Sequence, residues 1–352
     1  MAKKPQQAIV VSGMQPSGKM HVGNYVGAVR NWLRLQNEPD LRCFFFLADY
    51  HSLSGDYLPA EKRAQTMELA LDLLALGLDP KKCTLFVQSH VPEHTELCWV
   101  FNTVTPVAFL ERMTQYKDKS AQQEKNVNMG IFDYPVLQAA DILAYKGAFV
   151  PVGRDQVQHV ELTRDIGRFF NNKFGATFPE TKPLLTDTPK LRSLTEPLRK
   201  MSKSHGEKTY VAVDDGPEAI EEKLKRAVTE TTGILSMTEE ELEHAMANVD
   251  AKGGDDKLKG MAGVWNLLTM LRIFGSPEEA DRVMAGQPIK YGELKKLVAL
   301  RVAEHFAVFR ANKRKLAADP ERVRAILADG AKKARAVAKK TMEEVRRKIG
   351  VR

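Results

Sequence analysis

The chain has 352 residues, 43% of them hydrophobic and 28% charged, and carries a formal net charge of +8. That balance excludes a disordered chain, and the length suffices for two domains with a well-buried core. No apolar run is long enough to span a bilayer, the start "MAKKPQQAIVVSG" lacks the apolar stretch of a signal peptide, and Cys43, Cys83 and Cys98 are too far apart for a C-x-x-C metal pair. A cytoplasmic protein with reduced thiols and no membrane segment is predicted.

In chain order, short β-branched or aromatic runs alternate with helical patterns. Strands are predicted at 8–13, 43–49, 84–89 and 148–153, and helices at 22–36, 59–77, 93–104 and 135–146. Apolar strands separated by amphipathic helices predict a doubly wound parallel sheet, a Rossmann-like α/β domain over residues 1–212. Ligands of such domains bind beyond the carboxyl ends of the strands. The residues that follow the strands there are polar: Gly13, Gln15, Ser17 and His21, then Asp49 and His51, then Gln88 and Ser89, then Gly153, Asp155 and Gln156. One more strand-like run, "TYVAV", covers 209–213.

Beyond it the pattern turns helical, at 217–229, 238–249, 261–274, 277–285, 291–310 and 320–349, which predicts an all-α domain over 213–352. The last helix repeats Ala331, Ala334, Ala338, Met342, Val345 and Ile349 on one stripe suited to docking. From Ala331 to the end, nine Lys or Arg face only Glu343 and Glu344. Such a surplus suits a polyanion such as nucleic acid, and equally a solvated helix face.

Two stretches carry chemistry. "GMQPSGK" (13–19) has the G-x-x-x-x-G-K frame of a phosphate loop, but Pro16 removes an amide donor and Met20 stands where a magnesium-binding Ser or Thr belongs. The same segment reads better as a strand, a tight turn and a helix start at "HVGN". There the helix dipole, His21 and Asn24 could reach phosphate oxygens, and Gly23 leaves room for an adenine ring; taken alone, "HVGN" fits a helix start with an incidental histidine equally well. The second stretch is "KMSKS" (200–204), in which Lys200 and Lys203 can neutralise charge moving onto departing pyrophosphate.

Together these stretches resemble the two signatures of class I aminoacyl-tRNA synthetases. "YPVLQAADIL" followed by "VPVGRDQ", with "GMQPSGKMHVGNYVGA", "FLADYHSL", "LFVQSHVPEH" and "LERMTQYKDKS", is similar to the tryptophanyl-tRNA synthetase family from about residue 8 to 212. The resemblance implies ATP-dependent activation of L-tryptophan and its transfer to tRNA(Trp) by a homodimer, with magnesium entering only as the ATP complex and no structural metal. It implies catalytic roles for His21, Asn24, Lys200 and Lys203. For ATP it implies Gln15, Pro16, Ser17, Gly23, Asn24, Lys119, Gly153, Arg154, Asp155, Leu191, Lys200, Met201, Ser202, Lys203 and Ser204. For tryptophan it implies Asp141, Tyr134, Gln138, Gln156 and His51, and for the helical domain, anticodon binding aided by the basic tail.

The physics of the substrate agrees, because an indole N–H only donates and needs one acceptor, such as Asp141, at the end of an apolar slot. Pairing with a nearby Arg or Lys is the other reading of Asp141; a structural histidine is that of His51, and a surface lysine that of Lys119. Arg154 stands where the family often has Glu, and Val11 where it often has an aromatic residue. A tyrosyl-tRNA synthetase, a small nucleotidyltransferase and a non-catalytic RNA-binding paralogue are the alternative functions.

Overall fold

The computed structural model describes residues 7–114, 127–153, 156–186, 188–247 and 255–351. They form two compact units, one of Met1–Gly18, Ala28–Asp187 and Lys313–Arg352, the other of Lys19–Gly27 and Thr188–Asn312.

The first unit is built on strands β1 (Ala8–Met14), β2 (Leu41–Leu47), β3 (Thr84–Val87), β4 (Phe149–Val152) and β5 (Lys182–Leu185). All neighbours pair in parallel, in the order β3-β2-β1-β4-β5. This is the doubly wound sheet expected, with its order reversing between β1 and β4, the place where such folds bind ligands. Phe44, Phe45 and Leu47 of β2 and Leu85 and Phe86 of β3 are essentially inaccessible, as strands covered on both faces must be. Between and after the strands run helices α2 (Arg30–Leu35), α3 (Pro59–Ala75), α4 (Glu93–Asn102), α5 (Val107–Glu111), α6 (Met129–Leu143) and α7 (Val157–Phe174). Ahead of α2 stand a short helical turn, α1 (Val22–Asn24), and a π-helical stretch (Tyr25–Val29).

Several elements depart from the sequence reading, among them the short helix α5, which lies outside the expected helices. Helix α6 starts at Met129, well before 135, because the Asn128 side chain accepts a hydrogen bond from the Ile131 N–H and caps it, leaving Pro135 inside the helix. Helix α7 is an addition to the expected elements although Val160, Thr163, Ile166, Gly167 and Phe170 recur on one buried face, and strand β5, with a proline and no β-branched residue, is a second addition. The run 209–213 forms no strand; only Ala212 bridges to His21, because α1 begins one residue later and leaves no extended partner.

The second unit contains α1 and helices α8 (Pro217–Lys225), α9 (Glu239–Ala247), α10 (Asp256–Phe274), α11 (Pro277–Ala285) and α12 (Tyr291–His305). Met261, Val264, Leu267, Leu268 and Leu271 of α10 are buried at its centre. Tyr25 belongs here because its hydroxyl lies 2.9 Å from His305 Nε2 and its ring meets Phe306 edge-on.

The chain does not divide at 212. Residues 188–212 gather with the helices, and the terminal helix α14 (Pro320–Ile349), which follows α13 (Ala307–Ala317), belongs to the sheet unit. Ala331, Ala334, Ala338, Met342 and Val345 join the core that holds Phe86, Leu97 and Phe101, as the apolar stripe required, but on the sheet domain. Arg335 Nε lies 3.0 Å from Glu93 and Arg346 Nε 2.8 Å from Glu96, both on α4, while Lys146 holds Glu344 at 2.7 Å. Edge strand β3 is thereby covered, which removes an exposed ladder edge.

Gly330 makes the approach possible: a Cβ there would overlap the carbonyl oxygen of Leu85. Gly330→Val is therefore expected to lose about 1–3 kcal/mol of stability, the usual cost of overpacking, in urea unfolding of the whole chain. A midpoint equal to that of the parent would show that α14 does not rest on β3.

Candidate active site

The first cluster lies in the second unit. His21 is 6% exposed and caps α1: its Nδ1 accepts from the Asn24 N–H at 3.2 Å, and its own backbone N–H donates to Asn24 Oδ1 at 3.2 Å. The side chains of "HVGN" thus first organise the helix start. With Nδ1 occupied as an acceptor, neutral His21 carries its proton on Nε2 and keeps a donor. Its pKa is lowered to about 4 by burial, then by the positive charges of Lys203 and Lys200, so at neutral pH it acts by donating a hydrogen bond and carries no charge.

The second signature is bound to the first by backbone contacts. Val22 N–H donates to Val211 O and Val213 N–H to Met20 O, each at 2.9 Å. Met201 is buried, and its N–H donates to Leu191 O at 3.0 Å. Lys200 on one side of this anchor is exposed, and Lys203 on the other opens the short helix Lys203–His205. Ser202 O accepts from the Thr209 hydroxyl at 3.0 Å. At Gly23 a Cβ would crowd His21 Nδ1 at 2.9 Å and stand 3.7 Å from Met201 Cβ, so only glycine keeps this surface open. Met20 is buried.

The second cluster lies in the sheet unit, beyond the carboxyl ends of β2 and β3. Asp141, near the end of α6, is fully buried. Among the described residues it pairs with no Arg or Lys: His51 Nε2 lies 2.7 Å from Oδ2, Gln88 Nε2 lies 2.8 Å from Oδ1, and His94 Nδ1 lies 2.8 Å from Oδ1 on a bent approach. Burial alone would raise its pKa, but the imidazoles of His51 and His94 outweigh it and hold the carboxyl below its usual range. Beside it a cavity of about 270 Å³ is lined by His51, Tyr134, Asp133, Cys98 and Asn128 among others. The Tyr134 hydroxyl lies 2.9 Å from His159 Nε2.

Of the residues expected to bind tryptophan, the structure joins His51 and Asp141 directly and sets Tyr134 beside His51 with ring centroids 6.3 Å apart. Gln138 is half-buried on α6 and Gln156 precedes α7. Gln15, Pro16, Ser17 and Gly153 fall in the sheet unit after β1 and β4, whereas His21, Gly23, Asn24, Leu191, Lys200, Met201, Ser202 and Lys203 fall in the other. Lys119, Arg154, Asp155 and the Ser204 side chain lie outside the described residues. Among the described residues no group of three or more His, Cys, Asp or Glu is disposed to hold a metal, and no helix is long and apolar enough to cross a membrane.

His94, Tyr145 and His159 were missed as site residues. His94 and His159 stand among other polar residues near helix starts and Tyr145 just after a helix end, and their partners lie far away in sequence. Gln88 was seen only as a rim residue.

A parallel sheet of this order, together with a buried His-x-Gly-Asn helix start tied to a Lys-Met-Ser-Lys-Ser loop, defines the class I aminoacyl-tRNA synthetases, and the family of class I tRNA synthetases (W and Y) matches residues 3–307. A tryptophan–tRNA ligase of Caldanaerobacter subterraneus subsp. tengcongensis is 41% identical over 97% of this chain and 98% of its own. One from Streptomyces avermitilis, tryptophan–tRNA ligase 2, is 42% identical over 97% and 96%. The crystal structure of tryptophanyl-tRNA synthetase from Campylobacter jejuni, complexed with ADP and tryptophan, superposes with a TM-score of 0.80 at 29% identity, covering 97% of this chain and 100% of that one. The chain belongs to the tryptophan–tRNA ligases.

Proposed function

We infer that the chain activates L-tryptophan with ATP to tryptophanyl-adenylate and pyrophosphate and then transfers the tryptophanyl group to tRNA(Trp). The observation that carries this reading is the buried, ionised Asp141, held by three donor groups beside the cavity that His51 and Tyr134 line. A carboxylate offers about four lone-pair positions, so three donors leave capacity for one indole N–H. Phenylalanine would leave that capacity unfilled and buried, which favours its rejection without editing. Tyr134, Gln138 and Gln156 are the matching partners for the rest of the substrate.

ATP enters as its magnesium complex. His21, Asn24, Lys200 and Lys203 stabilise the triphosphate and its departing pyrophosphate, Gly23 admits the adenine, and Gln15, Pro16, Ser17, Gly153, Leu191, Met201 and Ser202 are the further matching positions. Lys119, Arg154, Asp155 and Ser204 belong to the same set by resemblance. No protein nucleophile is needed, because the tryptophan carboxylate itself attacks the α-phosphorus and the chain supplies position and charge.

For tRNA, the helical unit would take the anticodon. Lys332, Lys339, Lys340 and Arg347 on α14 are exposed and have no ion-pair partner among the described residues, which supports a backbone-binding face. We read the enzyme as a cytoplasmic homodimer. Three free buried cysteines agree with the compartment, and exposed Trp99, Val107 and Met129, on helices α4 and α5 and on α6 against which both pack, agree with a partner surface. Sedimentation giving the mass of one chain would overturn the dimer.

Amino-acid-dependent exchange of labelled pyrophosphate into ATP, run without tRNA for all twenty amino acids, tests the activity. Exchange is expected with tryptophan alone. Exchange with tyrosine would overturn the pocket and keep the fold, and no exchange would favour a non-catalytic RNA-binding protein.

A further inference from the structure

Asp141 does not end the buried polar chain. Behind it, on the side away from His51, His94 of α4 places Nδ1 2.8 Å from Asp141 Oδ1 and Nε2 2.6 Å from the hydroxyl of Tyr145, which follows α6. His94 and Tyr145 are both fully buried. The rings of Phe46, Phe86 and Tyr145 surround His94 edge-on, with centroids 6.0, 6.1 and 5.4 Å from its own. Such a group is expensive to bury unless every polar atom has a partner of the right sense.

Only one arrangement of protons satisfies the chain with its charge confined to the carboxylate. An ionised carboxylate accepts and never donates, so the ring nitrogens facing it, His51 Nε2 and His94 Nδ1, must carry protons. A neutral His94 protonated on Nδ1 leaves Nε2 bare, and the Tyr145 hydroxyl must then donate to it. Gln88 fits the same sense: its Nε2 donates to Asp141, and its Oε1 accepts from the Tyr50 N–H at 3.1 Å. With the hydroxyl removed, the lone pair of His94 Nε2 is left buried without a donor, and the carboxylate alone holds the proton on Nδ1. The other tautomer turns a lone pair toward the carboxylate, which it repels.

We propose that Tyr145 and His94 are positioning residues for amino-acid selection: Tyr145, donating to Nε2, favours the His94 tautomer whose Nδ1–H faces the Asp141 carboxylate that receives the indole N–H, and so supports the charge and orientation of that carboxylate. Neither residue touches the substrate. The inference rests on the reading of Asp141 as the indole acceptor and extends it to the residues that keep the acceptor ionised. Among the described residues, the ionisable groups facing this chain besides His51 are Glu93 and Cys98 on α4 and Asp133 on α6. Glu93 is paired with Arg335 of α14, and Cys98 Sγ lies 3.7 Å from Asp133. Asp133 and Glu93 are acidic, so neither replaces the lost donor.

Tyr145→Phe keeps the ring and removes only the hydroxyl. In pyrophosphate exchange it should raise KM for tryptophan about five- to tenfold, the loss expected for about one hydrogen bond, with kcat and KM for ATP nearly unchanged. The acid limb of the tryptophan KM profile should move to higher pH, because a carboxylate that has lost an oriented donor takes up its proton earlier. His94→Asn retains an amide donor near the place of Nδ1 and has nothing for Tyr145 to hold, so adding Tyr145→Phe to it should change nothing further.

An unmoved KM and acid limb in Tyr145→Phe would overturn the proposal. So would a general loosening, in which thermal stability and KM for ATP change together and the acid limb stays. Asp141→Asn separates the two levels: if it leaves KM for tryptophan unchanged, the acceptor reading itself fails. If it impairs tryptophan use and Tyr145→Phe does not, only the present inference fails.

Discussion

Asp141→Asn is expected to raise KM for tryptophan at least tenfold in pyrophosphate exchange while leaving KM for ATP close to that of the parent. The bond from an indole N–H to a carboxylate is worth about 1.5–3 kcal/mol, a factor of about 10–150 in kcat/KM. The amide brings a second penalty, since its NH2 group is a donor placed among donors, facing His51, Gln88 and His94. Asp141→Ala is the harsher change, because it leaves all three groups buried without an acceptor, at about 1–3 kcal/mol each. Summed, that approaches the whole stability of an ordinary domain, so Asp141→Ala is expected to lose its fold before its specificity. The asparagine variant is the informative one, and it should show a lowered melting temperature together with selective loss of tryptophan use. Unchanged tryptophan kinetics in a folded Asp141→Asn protein would remove Asp141 from the pocket and leave His51 and Tyr134 as its polar lining.

Lys203→Ala and Lys200→Ala are expected to slow adenylate formation about 10²–10³-fold each in pre-steady-state measurements, the cost of removing one preorganised group from a developing charge. Tryptophan affinity should barely change, because the lysines belong to the nucleotide cluster around His21. A third consequence follows from electrostatics. His21 titrates near 4 because burial and then Lys203 and Lys200 oppose its protonated form. Removing Lys203, or neutralising it with bound triphosphate, should therefore raise the His21 pKa, and ATP should bind with proton uptake at mildly acidic pH. The sign for folding runs the same way: the unfolded imidazole takes its proton near 6.5 and the folded one near 4, so His21 makes the protein less stable as pH falls through that window. An NMR titration of His21 in the parent and in Lys203→Ala reads both statements, and coincident curves would show that the loop does not act on His21.

Much of this could be read from the chain alone because the relevant signals are local. The alternation of apolar strands with amphipathic helices announced a parallel sheet, and four of its five strands lie within a residue or two of the expected positions. Helices 277–285 and 320–349 are met residue for residue, since Ser276 and Asp319 cap them and Gly286 and Gly350 follow their ends. "HVGN" and "KMSKS" were legible because a helix start and a charged loop are each built from consecutive residues. Likewise the apolar stripe of α14 was visible from its period.

What that stripe docks on was not visible. A stripe specifies an apolar partner and never which one, and only the packed structure assigns α14 to β3 and α4, with Gly330 against Leu85 and Arg335 and Arg346 on Glu93 and Glu96. The same limit governs the centre of the candidate site. Asp141 could be singled out from its place in an apolar helix, but the company it keeps could not. His51, Gln88 and His94 converge on it from three separate segments, and Tyr145 stands behind them. Burial then decides that this company must consist of donors, because a carboxylate removed from water persists as a charge only where hydrogen bonds replace its hydration.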